Sequence, residues 1–432
     1  RDRSPSRGLG DVYKRQILDI AEKNNQPQYK ALGLICKVYV LSLMTDAYGD
    51  IPYNEAGKGD VSGLEFPHYQ EQKEVYRLML ADLETANQLL KSLKADATIS
   101  DDILFNGDAV KWRKYANSLK VRILMRQSAK KDVSADIAAI FNNAQEYPVF
   151  TSIDDQATLV YNNTVDFYKW YIQPKNLPSD GSGVIFGDNF RVSEAIVDAL
   201  QTKDDPRLPV YVAPTKHSFE AHRANASVPF VYRGQPAGLS AAEQNEIDKD
   251  DYSVLSSTIR SESRAFVMTF AELQFLKAEA IIRGMITGNA ADEYAKGIRA
   301  SMQKWAAISS DDVDVYLARP DVALNTAQNE ALKQIGTQAW IDSFLNGFEA
   351  FANWRRTGYP ELKVGTSVSS AIPVRYIYSD NEQNNPNLIS WTNEKIGRMV
   401  NETDMVWFQP QKWNTNCLLY TSPSPRDGLL SR

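Results

Sequence analysis

The chain is poor in the residues that carry most redox and metal chemistry. Its 432 residues include 2 cysteines and 3 histidines. Two cysteines cannot build a disulfide framework. His68, His217 and His222 lack metal-ligand spacing with nearby cysteines or carboxylates, so no metal site and no cofactor is expected. There is no Gly-x-Ser-x-Gly elbow, no Gly-x-x-x-x-Gly-Lys phosphate cradle and no dinucleotide fingerprint. Basic charge is also in deficit. With 48 Lys+Arg against 54 Asp+Glu the formal charge is −6, which argues against nucleic-acid binding through phosphate contacts. Apolar runs are short too. The longest, Ala31 to Met44, is interrupted by Lys37 and falls below the roughly 18 residues of a membrane span.

What is present is a globular composition, 43% apolar and 24% charged. The length suits a large core or two to three domains. Tyrosine and tryptophan are generous, at 21 and 8.

The two ends read as foreign to the fold. Residues 1–16 and 417–432 are rich in Arg, Ser, Pro and Gly and have no apolar period. One coding string for Cys417 to Asp427 has a reverse complement that, read one base out of frame, encodes Ser6 to Arg15. This resembles a transposase sequencing adapter translated at both ends, and such segments are set aside from fold reasoning. The remaining 400 residues carry 41 basic and 51 acidic groups, and Cys36 is then the one cysteine left. On an apolar helix face it reads as a small buried hydrophobe.

The pattern between the ends is mostly helical. The spacing predicts helices over Gln28–Thr45, Tyr69–Leu93 and Ser134–Asn143, and a third long one capped by Asp108 with Trp112, Tyr115, Ala116, Leu119, Ile123 and Leu124 inward. Asp46-Ala-Tyr-Gly-Asp-Ile-Pro breaks the first, with Gly49 free to take positive φ and Pro52 barring continuation. From Tyr147 to Val192 the helical period is lost. A short helix is predicted at 193–201 and a short strand at Val210–Val212, with loop over 214–263. Helix returns over Thr269–Arg283, Ala290–Trp305, Thr326–Ser343 and Gly347–Arg356, and one further strand is expected near Ile372–Tyr378. Residues 269–303 form a helix–turn–helix of tetratricopeptide size, in which Ala278, Ala280 and Gly297 allow close approach. The expected class is therefore mainly α. Tetratricopeptide-like helix pairs form an α-α superhelical scaffold with large irregular loops and a few short strands. The parts are an N-terminal helical part (17–146), a loop-rich ligand-facing insert (147–268), the tetratricopeptide-like helices (269–358) and an irregular C-terminal part (359–416).

Five Asp-Asp pairs, such as Asp101-Asp102 and Asp204-Asp205, suit helix caps or solvent-facing turns. Arg355-Arg356 suggests either anion binding or a salt bridge or cap at a helix C-terminus. The sharper signal is the aromatic stretch Tyr161, Phe167, Tyr168, Trp170, Tyr171 in a turn-rich segment, with Asn162, Asn163, Asp166 and Gln173 nearby. Such rings either anchor the loop to the body or stack on sugar rings and peptide side chains. The expected ligand contacts are Trp170, Tyr171, Tyr168 and Tyr53.

Several stretches together resemble the SusD/RagB family. They are Tyr29-Lys-Ala-Leu-Gly with Asp46-Ala-Tyr-Gly-Asp-Ile-Pro-Tyr, the run Gly107-Asp-Ala-Val-Lys-Trp to Ile123, and Asp204-Asp-Pro-Arg-Leu-Pro-Val-Tyr. Phe270-Ala-Glu-Leu-Gln-Phe-Leu-Lys-Ala-Glu-Ala, Lys296-Gly-Ile-Arg-Ala-Ser-Met and Glu349-Ala-Phe-Ala-Asn-Trp-Arg-Arg-Thr-Gly-Tyr-Pro follow in order. The resemblance implies a non-enzymatic outer-membrane lipoprotein of Bacteroidota. It would capture oligosaccharides or peptides at the cell surface and pass them to a SusC-like TonB-dependent transporter. It implies a membrane attachment only through an N-terminal lipid anchor, expected on a segment missing upstream of Ile17. The readings that compete with it are an α-helical glycoside hydrolase and an intracellular tetratricopeptide adaptor.

Overall fold

The computed structural model describes residues 17–58, 63–94, 97–161, 184, 190–260, 262–305, 307–365 and 372–410. Helix α1 (Pro27–Tyr48) starts on a proline, whose missing N–H is lost to no partner in the first turn. It ends at Gly49, at φ 84°, whose N–H donates to the Thr45 carbonyl. Helices α2 (Gln72–Lys91), α3 (Ala109–Gln127) and α4 (Ser134–Asn142) follow. Asp108 caps α3 by accepting from the N–H groups of Val110 and Lys111, as its place before the apolar period predicts. By composition α1 is long and apolar enough to cross a membrane, but its inner face is core. Lys37, the charge inside its apolar run, pairs with Asp82 of α2 at 2.9 Å.

Strand β1 (Ala157–Val160) pairs antiparallel with β2 (Arg264–Met268), placing Leu159 opposite Ala265. Between them lie α5 (Glu194–Gln201) and α6 (Lys216–Ala224). After β2 come α7 (Phe270–Ile282), α8 (Ala290–Gln303), α9 (Ser310–Leu317), α10 (Gln328–Asp342), α11 (Gly347–Thr357) and α12 (Pro386–Ile396).

Two hydrophobic cores meet at α7. Leu273, Leu276 and Ala280 pack with α1–α4, while Ala271, Phe275 and Ala278 pack with α8, α10 and the aromatic pair Tyr211 and Trp305. A helix walled on both sides buries most of its circumference, its polar Glu272, Gln274 and Glu279 included. Phe275 is the knob that Gly297 accommodates. A Cβ on Gly297 would stand 2.6 Å from its ring. The predicted close crossing of this helix pair is present.

Several predicted elements differ. Val210–Val212 is not a strand: Leu208–Tyr211 is a helical turn with Pro209 in its first turn, and Val212 makes only an isolated bridge with Leu255. Proline's fixed φ suits the start of a helix. Ile372–Tyr378 forms no strand either. Val374 donates to the Glu402 carbonyl and Tyr376 to that of Ala47, two unrelated partners that make no ladder. The stretch read as loop at 214–263 contains α6 and a turn of helix with the capping box Ser240–Glu243. Helices α9 and α12 form where no helix is expected from the apolar period, and Ser309 caps one while Asn385, Pro386 and Gly397 bracket the other.

Candidate ligand-binding site

Trp170, Tyr171 and Tyr168 lie outside the described residues. Tyr53 is described, and the fold places it in the core. It is 2% exposed, its hydroxyl donates to Asp82 at 2.6 Å, and the Lys37 ammonium sits 4.1 Å from its ring centre. Its ring closes the α1–α2 contact and presents no open face.

An open aromatic face does occur elsewhere, built from three segments. Helix α11 supplies Phe348 and Phe351, the end of α1 supplies Tyr48, and the segment after residue 371 supplies Tyr376. Tyr376 is the hub. Its ring meets Phe348 edge-on at 6.2 Å, Phe351 in a stack at 5.9 Å and Tyr48 at 5.9 Å. Phe348 is 49% exposed and Tyr376 47% exposed, with Leu345 and Ile377 also open to solvent. Contiguous open rings of this kind are informative because single exposed apolar residues are common and patches are not.

This face is hidden from a pattern of apolar and polar residues because α11 is inverted relative to an ordinary surface helix. Its charged and amide residues Glu349, Asn353, Arg355 and Arg356 are buried, whereas Phe348 faces water. Polar side chains belong inside only when paired, and here they are. Arg126 of α3 donates to both oxygens of Glu349 at 2.7 Å and reaches Asp46 of α1 at 3.2 Å. Arg122 donates to both oxygens of Glu272 of α7, at 2.5 and 2.6 Å. Arg356 does the same to Glu279, at 2.6 and 2.7 Å. The Tyr76 hydroxyl donates to Asp46.

These ions titrate according to their company. Burial alone would raise the Glu279 carboxyl, but Arg356 and Arg283 outweigh it and hold the group at about 2. Burial dominates at Asp46 and Glu272, which sit above the usual carboxylate range despite Arg126 and Arg122. Burial also pulls the Arg355 guanidinium down to about 10, with Asp46 opposing. Of the two sequence readings for Arg355-Arg356, the ion pair holds for Arg356. Arg355 reaches the Phe351 carbonyl four residues back at 3.2 Å.

His217, Asp248 and Asp251 form an exposed group whose ligand atoms lie within 4.8 Å of one another. The His217 ring and Asp248 are 3.0 Å apart, and Lys216 holds the adjacent Asp250 at 2.6 Å. That pairing raises the His217 pKa, through the Asp248 hydrogen bond first. It is an ordinary surface ion cluster joining α6 to the turn at Lys249–Asp251.

Residues 7–379 match the SusD-like_2 family, described as starch-binding associating with outer membrane. Solved structures agree along nearly the whole chain. A SusD homologue of Bacteroides fragilis superposes with TM-score 0.77 at 26% identity, over 95% of this chain and 90% of that one. A chitin-binding protein gives 0.74 at 28% identity, over 93% and 87%. A SusD homologue of Bacteroides uniformis gives 0.75 at 25% identity, over 92% and 84%. None of the curated protein sequences matches the chain. The fold, the ordered motifs and the extent of the match agree: the chain belongs to the SusD-like family of outer-membrane nutrient-binding proteins.

Proposed function

We propose that the protein captures oligosaccharides at the bacterial cell surface, hands them to a SusC-like TonB-dependent transporter, and cleaves no bond itself. The observation that carries this reading is the open aromatic face of Tyr48, Phe348, Phe351 and Tyr376. Phe348 and Tyr376, each about half exposed and backed by Phe351 and Tyr48, offer flat ring surface that suits the apolar faces of pyranose rings, and tyrosine adds a hydroxyl for the sugar's polar rim. The starch and chitin specificities named for the family and for one structural relative point to the same ligand class. Trp170, Tyr171 and Tyr168 are the further contacts proposed from the insert. In this reading the protein is attached to the outer membrane through a lipidated N-terminal cysteine.

Calorimetric titration with neutral oligosaccharides tests the reading. Phe348→Ala with Tyr376→Ala, and separately Trp170→Ala, are expected to weaken binding while the helical signal is kept. Wild-type affinity in both would refute the assigned contacts. Reducing ends released from a polysaccharide, and lost on substitution of one Asp or Glu, would refute the non-catalytic role. Binding of peptides alone would refute the ligand class.

A further inference from the structure

We propose that Arg355 and Arg375 are positioning residues for the ligand face, an inference that rests on that face being the binding surface. The rings come from three segments that no sheet joins: Tyr48 ends α1, Phe348 and Phe351 lie on α11 about 300 residues later, and Tyr376 lies about 25 residues beyond them. Tyr376 lies on a stretch without regular secondary structure, so nothing periodic fixes its ring between Tyr48 and the α11 phenylalanines. Two main-chain bonds hold that stretch, Val374 N–H to Glu402 and Tyr376 N–H to Ala47. The Tyr378 hydroxyl adds a bond to the Asp50 carbonyl at 2.8 Å, and two arginines add ties that reach the ring-bearing segments themselves.

Arg355 is 1% exposed. Its guanidinium lies 3.9 Å from the Phe351 ring centre and 5.1 Å from that of Phe408. Its Nε donates to the Phe351 carbonyl at 3.2 Å and its Nη1 to the Val374 carbonyl at 3.1 Å. One planar group therefore links α11, behind Phe351, to the stretch that carries Tyr376. Arg375 is 6% exposed and works from the other side. Its Nη2 donates to the Tyr48 carbonyl, its Nε to the Tyr376 carbonyl at 3.3 Å, and its guanidinium lies 5.4 Å from the Tyr378 ring centre. It links the end of α1 to the same stretch. Arg122, Arg126 and Arg356 engage buried carboxylates. Arg355 and Arg375 instead spend N–H groups on carbonyls of the three ring-bearing segments.

This geometry needs a fork. A guanidinium presents donors in fixed, diverging directions and stacks flat on a ring, whereas an ammonium is a point charge on a flexible stem. Lysine at either position keeps the charge and much of the stem packing, and loses the two-carbonyl span.

The test compares the unaltered chain with Arg355→Lys, Arg375→Lys and the double variant Phe348→Ala/Tyr376→Ala. Maltohexaose and chitohexaose are titrated by calorimetry, well below each melting temperature. Amide hydrogen exchange at Val374 and Tyr376 is followed without ligand. Each lysine variant is expected to lose affinity about tenfold, since a site loosened by a fraction of an ångström binds poorly. Exchange at those two amides is expected to quicken while α11 exchanges as before. A merely structural role would lower the melting temperature and leave the affinity of the folded fraction and the local exchange unchanged. Lysine variants within twofold of wild type, beside an alanine pair that no longer binds, would overturn the positioning role and leave the ligand face standing. An alanine pair that binds like wild type, or an unaltered chain that binds neither probe, would overturn the face and this inference with it. Should Arg355→Lys fail to fold, Arg375→Lys decides the question.

Discussion

Gly297→Ala offers a direct check on how α7 and α8 pack. On an open helix the change would stabilise by about 1 kcal/mol, because alanine is the better helix former. Here the added Cβ would stand 2.6, 2.8 and 2.9 Å from three carbons of the Phe275 ring. Carbon–carbon contact is comfortable near 3.5–4.0 Å, so ring and methyl must separate by roughly an ångström. Phe275 has little room to yield. It is buried, it meets Tyr294 at 6.2 Å, and it belongs to the core around Trp305. Overpacking of this kind costs about 1–3 kcal/mol, which outweighs or cancels the propensity gain and leaves a net loss of about 1 kcal/mol, within roughly a unit either way. Urea midpoints for Gly297→Ala, Phe275→Leu and the double variant measure it. Leucine vacates the space the methyl needs, so the double variant is expected to be more stable than the summed singles by about 0.5–2 kcal/mol. A stabilised Gly297→Ala, or strictly additive singles, would refute the close crossing.

Three other outcomes are expected. Gly49 combines φ 84° with ψ −116°, a conformation open mainly to glycine, so Gly49→Ala should lower stability by about 1–3 kcal/mol in chemical denaturation; no change in midpoint would mean the helix end relaxes freely. Glu279 is held at about 2, below its ordinary 4.5, so its contribution is present above pH 4.5 and is lost as pH falls towards 2. The difference amounts to roughly 3 kcal/mol, and midpoints at pH 5 and pH 3 for wild type and Glu279→Gln should converge on acidification; parallel profiles would contradict the linkage. The only residues charged at neutral pH within 345–351 and 373–377 are Glu349 and Arg375, both buried. Binding of neutral oligosaccharides should therefore hold from about 50 to about 500 mM salt, whereas steep weakening would reveal a charged contact at the face.

The long helices were legible because their cores impose a period. Trp112, Tyr115, Ala116, Leu119, Ile123 and Leu124 are all buried on α3, and Asp108 caps it. The failures have a common cause. Val210–Val212 is β-branched enough to resemble a strand, but Asp205 and Arg207 form a wholly buried pair at the helical turn Leu208–Tyr211. Ile372–Tyr378 alternates like a strand, but its N–H groups go to unrelated partners. In both cases a polar contact made outside the apolar stretch, or to a distant segment, overrides local preference, and period counting cannot see it. Tyr53 illustrates the same limit at the site, since a tyrosine following a turn looks available until Asp82 takes its hydroxyl.

The motifs behind the family likeness explain why it spoke clearly about fold and little about contacts. Their charged residues are one another's partners. Asp46 from the first meets Arg126 beyond the second; Arg122 of the second meets Glu272 of the fourth. Arg207 of the third reaches Ser301 of the fifth at 2.9 Å, and Glu279 of the fourth meets Arg356 of the sixth. Breaking one member of a buried pair leaves an uncompensated charge, which destabilises far more than the pair contributes, so such residues are mutually constrained. A set of complementary buried ions therefore encodes how the helices dock, whatever ligand is bound. Ligand rings answer to a different constraint: they must stay open. Helix α11 carries both messages on opposite faces. Glu349 and Arg356 lock it to α3 and α7, and that inward charge turns Phe348, which lies just outside the family motif, out to solvent, where its exposure marks it.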